Sequence, residues 1–415
     1  MGFEKNNTML EDINKLHKIS KKKSRLIIGL MSGTSLDGLD IALCKFTGNG
    51  AQTKVQVLAF DTFDYDEKYK NEIRKIFAKE TIDFQHLVLM NEKIGTTHAE
   101  MILDFLKKYK ISPTKIDLIA SHGQTVYHAP KAQHGLQDYP NATLQIGDGD
   151  HIAVTTGIIT ISDFRQKHIA VGGEGAPLSA YGDYFLFSSP NENRIMLNMG
   201  GIANFTFLPA SLRTDEVFVT DTGPGNTLLD ACVRRYFPEK FYDKDAEIAS
   251  KGKINDTLLN TLLQHEYFKK QSSGTTGPEV FNLSFVEQAQ TQSGTKNISV
   301  EDLMATLTAF SAQTISEAIR FQVSGFRNDN QSTKIYMSGG GAHNPLLVNS
   351  IKKLLPEYRF GITDDLGING DAKEAVLFAT LANECIAGEK KSLQGESAGS
   401  FFFPAVSLGK ISLPE

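Results

Sequence analysis

Residues 29–40 read Gly29-Leu30-Met31-Ser32-Gly33-Thr34-Ser35-Leu36-Asp37-Gly38-Leu39-Asp40. They continue the apolar run Leu26-Ile27-Ile28, so a buried strand empties into a turn built from Gly, Ser, Thr and Asp. Such a turn lets backbone N–H groups approach phosphate oxygens, its hydroxyls donate hydrogen bonds, and a nearby carboxylate can hold Mg²⁺. It matches neither Gly-x-x-x-x-Gly-Lys-Ser/Thr nor Gly-x-Gly-x-x-Gly. Taken alone, the segment reads equally well as a strand-ending turn that needs glycine for its backbone angles.

Strand and helix signals alternate outward from this stretch. Residues 25–31 and 40–46 predict paired strands, and 55–62 a third. Leu87, Met90, Ile94, Met101 and Phe105 recur at helical spacing and mark one apolar face. Residues 116–120 and 157–162 predict short buried strands. A second strand-rich block follows, with a hairpin over 195–208 turning at Gly200-Gly201 and a strand over 217–220. Asn226 is a plausible N-cap for the next helix. Residues 302–324 and 373–387 predict helices, 334–337 a strand, and 271–278 and 390–400 loops. Two successive blocks of this kind predict a duplicated α/β unit, with ligands at the strand ends.

At 415 residues the chain is long enough for two or three domains. With 43 basic and 48 acidic residues, the formal charge of -5 argues against binding nucleic acid through bulk positive charge. Cys44, Cys232 and Cys385 lie far apart without metal-ligand spacing, which suits buried thiols in a reducing compartment. No apolar run reaches the ~20 residues that span a bilayer. Residues 1–25 are polar, include Lys21-Lys22-Lys23 and lack a signal-peptide core. They read as a poorly ordered extension with at most a short helix, and the protein as cytoplasmic.

Gly-bearing turns are expected after strands at 32–38, 121–125, 172–175, 221–225 and 338–341. Asp221 in Asp221-Thr222-Gly223-Pro224-Gly225-Asn226 is the leading catalytic candidate, a carboxylate at a strand end beside glycines that admit substrate. Its competing reading, a helix cap, is weakened because Asn226 lies nearer the helix start. His122 and His128 read by default as structural. Asp163 and Arg165 read as a surface ion pair or as lining of a polyol pocket. The turn Ser338-Gly339-Gly340-Gly341 suits close backbone approach to a purine or ribose.

Taken in order, the segments 33–40, Ser121-His122-Gly123-Gln124-Thr125, Asp163-Phe164-Arg165, Gly172-Gly173-Glu174-Gly175-Ala176-Pro177-Leu178, Asn198-Met199-Gly200-Gly201, 221–226 and 338–342 closely resemble the anhydro-N-acetylmuramic acid kinases. The resemblance runs from about Arg25 to Gly409. It implies an α/β, two-domain actin-like ATPase fold of duplicated ribonuclease H-like domains, with ATP in the interdomain cleft. The expected division is an extension over 1–24, a first domain over 25–190 completed by 386–415, and a second over 191–385.

The implied reaction is hydrolytic opening of the 1,6-anhydro ring of anhydro-N-acetylmuramic acid with phosphorylation of O6, in cell-wall recycling. The resemblance makes Asp221 the base and Glu374 its partner in holding the attacking water. It assigns ATP to Gly33, Thr34, Ser35, Leu36, Asp37, Gly38, Leu39, Asp40, Gly200, Gly201, Gly223, Gly225, Asn226, Gly339, Gly340 and Gly341. Mg²⁺ would sit near Asp37 through water. The amino sugar falls to His122, Gln124, Thr125, Asp163, Arg165, Gly175, Ala176 and Pro177. The resemblance allows a homodimer and calls for neither nucleic acid nor membrane. The chain departs from the family pattern at His168 (usually Asp), Glu174 (commonly Gln), Gly274 and Pro278. Those departures leave two further readings open: a kinase for a related sugar, and an ATP-binding chaperone-like or regulatory protein of the same fold.

Overall fold

The computed structural model describes residues 8–269, 276–277, 279–326, 332–388, 393–394, 402–403 and 406–415. The chain forms two compact units, one of Met1–Leu186, Asp371–Leu393 and Phe402–Glu415, the other of Phe187–Gly370 and Gln394–Phe401.

The first unit is built on a mixed sheet of β1 (Ser24–Ser32), β2 (Gly38–Thr47), β3 (Lys54–Asp64), β4 (Leu118–Ala129), β5 (Ala142–Ile146), β6 (Thr160–Ser162) and a C-terminal strand, Lys410–Ser412. The order is C-terminal strand, β6, β4, β1, β2, β3, with β5 paired to β4. β1 runs antiparallel to β2 and β2 to β3, while β1, β4 and β6 run parallel. β1 is covered on both faces, which is why it reads as a continuous apolar run. Ile28 and Leu30 join the core with Ile102, Phe105 and Ile152 from helices Phe84–Lys108 and Gly149–Thr156. On the opposite face helix Lys373–Ala387 lies so close that a Cβ on Gly29 would fall 1.9 Å from the Ala375 carbonyl oxygen.

Two expectations are corrected here. Residues 371–385, expected in the second domain, belong to the first unit, because helix Lys373–Ala387 packs on β1, β2 and β4. The N-terminal extension holds a 14-residue helix, Thr8–Lys21, that packs on the same helix and buries Ile19.

The second unit repeats the plan. Its sheet contains β7 (Asn193–Met199), β8 (Ile202–Leu208), β9 (Phe218–Pro224), β10 (Thr333–Ser338) and β11 (Arg359–Ile362), in the order β11, β10, β7, β8, β9. Again the first strand opens an antiparallel meander on one side and is flanked by parallel strands on the other. Helix Val300–Val323, capped by the Ser299 hydroxyl at the Asp302 N–H, runs through two cores. Its Ile315 and Ile319 pack beneath the sheet, and its Leu303, Leu307 and Phe310 meet the shorter helices Thr227–Tyr236, Asp256–Leu263 and Leu283–Ser293. The architecture is α/β, and five strands in each unit follow one order, β3-β2-β1-β4-β6 in the first and β9-β8-β7-β10-β11 in the second. Among the described residues no helix is long and apolar enough to cross a membrane.

Two of the expected turns are strand. Residues 121–125 lie inside β4 and 221–224 inside β9. Backbone pairing carries each strand through its motif, and register irregularities mark the places, between Leu30 and Ser32 on β1 and between Ala203 and Asn204 on β8. Bulges of this kind turn a side chain without ending the strand.

Candidate functional site

In the first unit the turn after β1 leaves Thr34, Ser35 and Asp37 exposed, the side-chain types that meet phosphate and a hydrated cation. Leu36 does the opposite. It adopts φ 60°, a region that disfavours a side chain, and buries that side chain against Ile73, Ile76, Met90 and Ile94. Leu36 and Leu39 therefore serve the core, and only their backbone is available to a ligand. Gly38 is likewise closed off, with space for a Cβ blocked 2.4 Å away by the Phe63 carbonyl oxygen.

Asp40, on β2, accepts a hydrogen bond from Thr62 Oγ1 at 2.6 Å. Burial raises its pKa, and Asp371 and Asp37 add to the rise against the Thr62 bond. Glu374 sits in the first turn of its helix. Although the residue is open to solvent, neighbouring atoms crowd its carboxyl and raise its pKa; Lys373 and Arg165 oppose the rise and Asp40 adds to it. Lys373 is itself held by buried Asp183 at 2.9 Å, a pairing that sequence reading missed.

The expected sugar residues divide into two kinds. Arg165 donates through Nε to His122 Nε2 at 3.0 Å and through Nη1 to the Gly175 carbonyl at 2.7 Å. Burial brings its guanidinium down to about 10, with Glu374 opposing the fall. It stays a cation, and burial and Arg165 together hold His122 neutral. Gly175 also donates its N–H to His168 Nδ1 at 2.8 Å. Thus His168, at a position where a carboxylate was the family expectation, supplies the acceptor that a carboxylate would supply.

Asp163 does not pair with Arg165. It is bound to Lys410 of the C-terminal strand. Gln124, expected at the sugar, is fully buried and spends its amide on Ser32, Gly33 and Thr125. Thr125 lies beside it with Oγ1 accepting from Gln145 Nε2, while Ala176 and Pro177 are half-buried. A groove of about 590 Å³ opens along this unit, lined by His122, Gln145, Ile146, Asp163 and Ser412 among others.

In the second unit, glycines from three strand ends form a backbone cradle. Gly225 donates to the Gly201 carbonyl at 2.8 Å, and a Cβ on Gly225 would lie 2.3 Å from the Gly200 carbonyl oxygen. Asn226 stands at the helix start as expected, but its side chain does not cap. Its Nδ2 donates instead to the Met199 carbonyl at 3.1 Å, tying the cradle together. Gly200 is half-buried, Gly201, Gly339 and Gly340 are exposed, and Gly341 is buried against Met199. Gly223 faces the Phe268 ring rather than open space.

Asp221 pairs with Asn204 at the bulge of β9 against β8. Its carboxylate accepts one backbone N–H, from Thr276 at 3.0 Å. Burial pushes its pKa up to about 6, the Thr276 bond opposes the rise and Glu279 adds to it. A carboxylate poised there accepts a proton near neutrality far better than an ordinary aspartate does. Thr276 and Tyr267, whose hydroxyl donates to the Asp221 carbonyl at 3.5 Å, carried no sequence signal because they lie far along the chain. The departures Gly274 and Pro278 lie outside the described residues. No group of three or more His, Cys, Asp or Glu among the described residues is arranged to hold a metal ion.

A family model described as anhydro-N-acetylmuramic acid kinase matches residues 25–409. The anhydro-N-acetylmuramic acid kinase of Pseudoalteromonas atlantica is 52% identical over 98% of this chain and 100% of its own length. That of Caldanaerobacter subterraneus is 41% identical over 97% of this chain and 100% of its own. Among solved structures, the activator of 2-hydroxyisocaproyl-CoA dehydratase from Clostridium difficile, with bound ADPNP, is 12% identical. It covers 87% of this chain and 95% of its own at a TM-score of 0.38.

Proposed function

The chain belongs to the anhydro-N-acetylmuramic acid kinase family, and from that premise we propose that it opens the 1,6-anhydro ring of this amino sugar and phosphorylates O6 at the expense of ATP, with Asp221 as the base. The observation that carries the assignment of the base is the Asp221 carboxylate, half-buried, bound by one N–H and raised to about 6.

Asp221 takes a proton from water as the water oxygen bonds to the anomeric carbon. The bond from that carbon to O6 breaks, and its electron pair leaves with O6. An inverting glycosidase needs a second carboxyl to protonate the leaving oxygen. Here O6 bonds to the γ-phosphorus and ADP departs, so the electron pair ends in a phosphate ester. The products are N-acetylmuramic acid 6-phosphate, ADP and the proton first held by Asp221. Glu374 orients the water, and Arg165, fixed on Gly175, presents a cation to the sugar.

The exposed hydroxyls and backbone at 33–37 and the cradle at 200–201, 225 and 339–341 suit phosphate and nucleoside. The exposed Asp37 carboxylate suits Mg²⁺ held largely through water and phosphate oxygens. When bound, the cation would neutralise charge on the β- and γ-phosphates.

The test is incubation with ATP, Mg²⁺ and anhydro-N-acetylmuramic acid, followed by mass analysis of the sugar. Gain of both water and a phosphoryl group supports the reading. Phosphorylation only of other sugars, or ATP turnover indifferent to sugar, overturns it.

A further inference from the structure

We propose that a buried hydrogen-bond relay through His98, Tyr65, Ser32 and Gln124 sets the plane of the Gly33-Thr34 peptide, so that the Thr34 N–H is held outward as a donor to nucleotide phosphate. The four are positioning residues, and the inference rests on the nucleotide reading of the turn given above.

Counting donors fixes the direction of the relay. Gln124 Nε2 faces two carbonyl oxygens, those of Gly33 at 3.3 Å and Thr125 at 3.2 Å, and these can only accept. The amide orientation follows, leaving Oε1 to accept from the Ser32 hydroxyl at 2.6 Å. With its proton spent, Ser32 Oγ accepts from the Tyr65 hydroxyl at 2.9 Å. Tyr65 has then spent its own proton, so its oxygen accepts from His98 Nε2–H at 2.8 Å. His98 is thereby the Nε2–H tautomer, and its Nδ1 finds no partner among the described residues. Burial lowers the His98 pKa to about 3, which suits a neutral ring.

All four side chains are at most 4% exposed, so the relay is shielded from water. Its output is the Gly33 carbonyl, drawn inward by Gln124 and also accepting the Leu36 N–H at 3.4 Å. In a trans peptide the N–H lies opposite the carbonyl. The Thr34 N–H therefore turns away from the interior, on an exposed residue, and no described residue accepts it. From the far side, burial of Leu36 pins the same turn.

The experiment measures dissociation constants for a non-hydrolysable ATP analogue with Mg²⁺, and separately for anhydro-N-acetylmuramic acid, by calorimetry well below each variant's melting temperature. Tyr65→Phe keeps the ring and removes the relay's central proton, and Ser32→Ala provides a second break. Both are expected to weaken nucleotide about five- to tenfold, the scale of one hydrogen bond, while sugar binding stays within about twofold. Tyr69→Phe removes a buried hydroxyl outside the relay and should change neither constant. Gln124→Glu regains one donor when its acid protonates, so its nucleotide affinity should improve from pH 8 to pH 6 by more than that of the unaltered protein. If Tyr65→Phe and Ser32→Ala bind nucleotide within about twofold of the unaltered protein, or weaken both ligands equally, the relay does not position the turn. If the unaltered protein itself binds no nucleotide, the functional reading falls and this inference with it.

Discussion

Replacing Asp221 by Asn should nearly abolish turnover and yet stabilise the protein. Asn keeps the shape and an oxygen that can accept the Thr276 N–H, but it cannot take a proton. Loss of a general base costs about 10²- to 10⁴-fold in rate, or about 3–5 kcal/mol in the barrier. The stability gain comes from the same burial that makes the base useful. A carboxyl raised from about 3.9 to about 6 costs the native state about 3 kcal/mol once ionised, which is a ceiling. Because the group is partly open to water, about 1–2 kcal/mol is expected.

The sign follows from proton binding. Between about pH 4 and 6 the native state holds more protons at this site than the unfolded chain, so wild-type stability falls as pH rises through that window. About half the cost is in place at pH 5 and all of it by pH 8, given a native value of about 6. Urea denaturation of both proteins at pH 5 and pH 8 should show the gap in favour of Asp221→Asn widening. The acid limb of kcat/KM for the wild type should fall below an apparent pKa near 6. A stability gap independent of pH, an acid limb near 4, or an Asn variant within tenfold of wild-type turnover would refute the assignment.

Three further outcomes are expected. Gly225→Ala places a Cβ 2.3 Å from the Gly200 carbonyl, so the cradle must open, at a cost of about 1–3 kcal/mol and a several-fold loss of nucleotide affinity; unchanged affinity by calorimetry would contradict the cradle. Leu36→Ala removes a buried anchor from a strained turn and should cost about 2–5 kcal/mol by urea denaturation; a cost below about 1 kcal/mol would show that the turn does not depend on it. His168→Ala leaves the Gly175 N–H without its acceptor and loosens the carbonyl that holds Arg165, so sugar KM should rise several-fold while ATP KM does not; His168→Asn should restore most of it, and equal sugar KM in all three proteins would exclude the role.

Much of the fold was legible because periodicity survives in local sequence. The apolar run before Ser32, the hairpin turning at Gly200-Gly201 and the helical face of Leu87, Met90 and Ile94 each declared their element. What sequence could not show was where a strand stops when its motif is rich in glycine and polar residues. β4 and β9 run on through 121–125 and 221–224 because pairing with neighbours outweighs local turn preference. Gln124 illustrates the same limit within the site. As a motif residue it reads as a ligand contact, whereas β4 is buried at every position from Leu118 to Gln124 and its side chain bonds within the unit. Thr276 and Lys373 act through partners 55 and 190 residues away in sequence, and no local pattern carries that information.

The order in which the chain visits its two units bears on its synthesis. The second unit comes from Phe187–Gly370 almost entirely, whereas the first waits for residues from 371 onward. On the ribosome, β1 to β6 emerge early without the helix that covers Gly29 and without the strand that closes the edge at β6. That half-finished sheet keeps one apolar face and one edge exposed while nearly two hundred further residues are made, a state prone to mispairing. The later-encoded unit, nearly continuous in sequence and with its own cores, is almost wholly made by residue 370. Chains cut short between residue 370 and the end of helix Lys373–Ala387 therefore leave a nearly finished second unit attached to a first unit whose sheet is still uncovered.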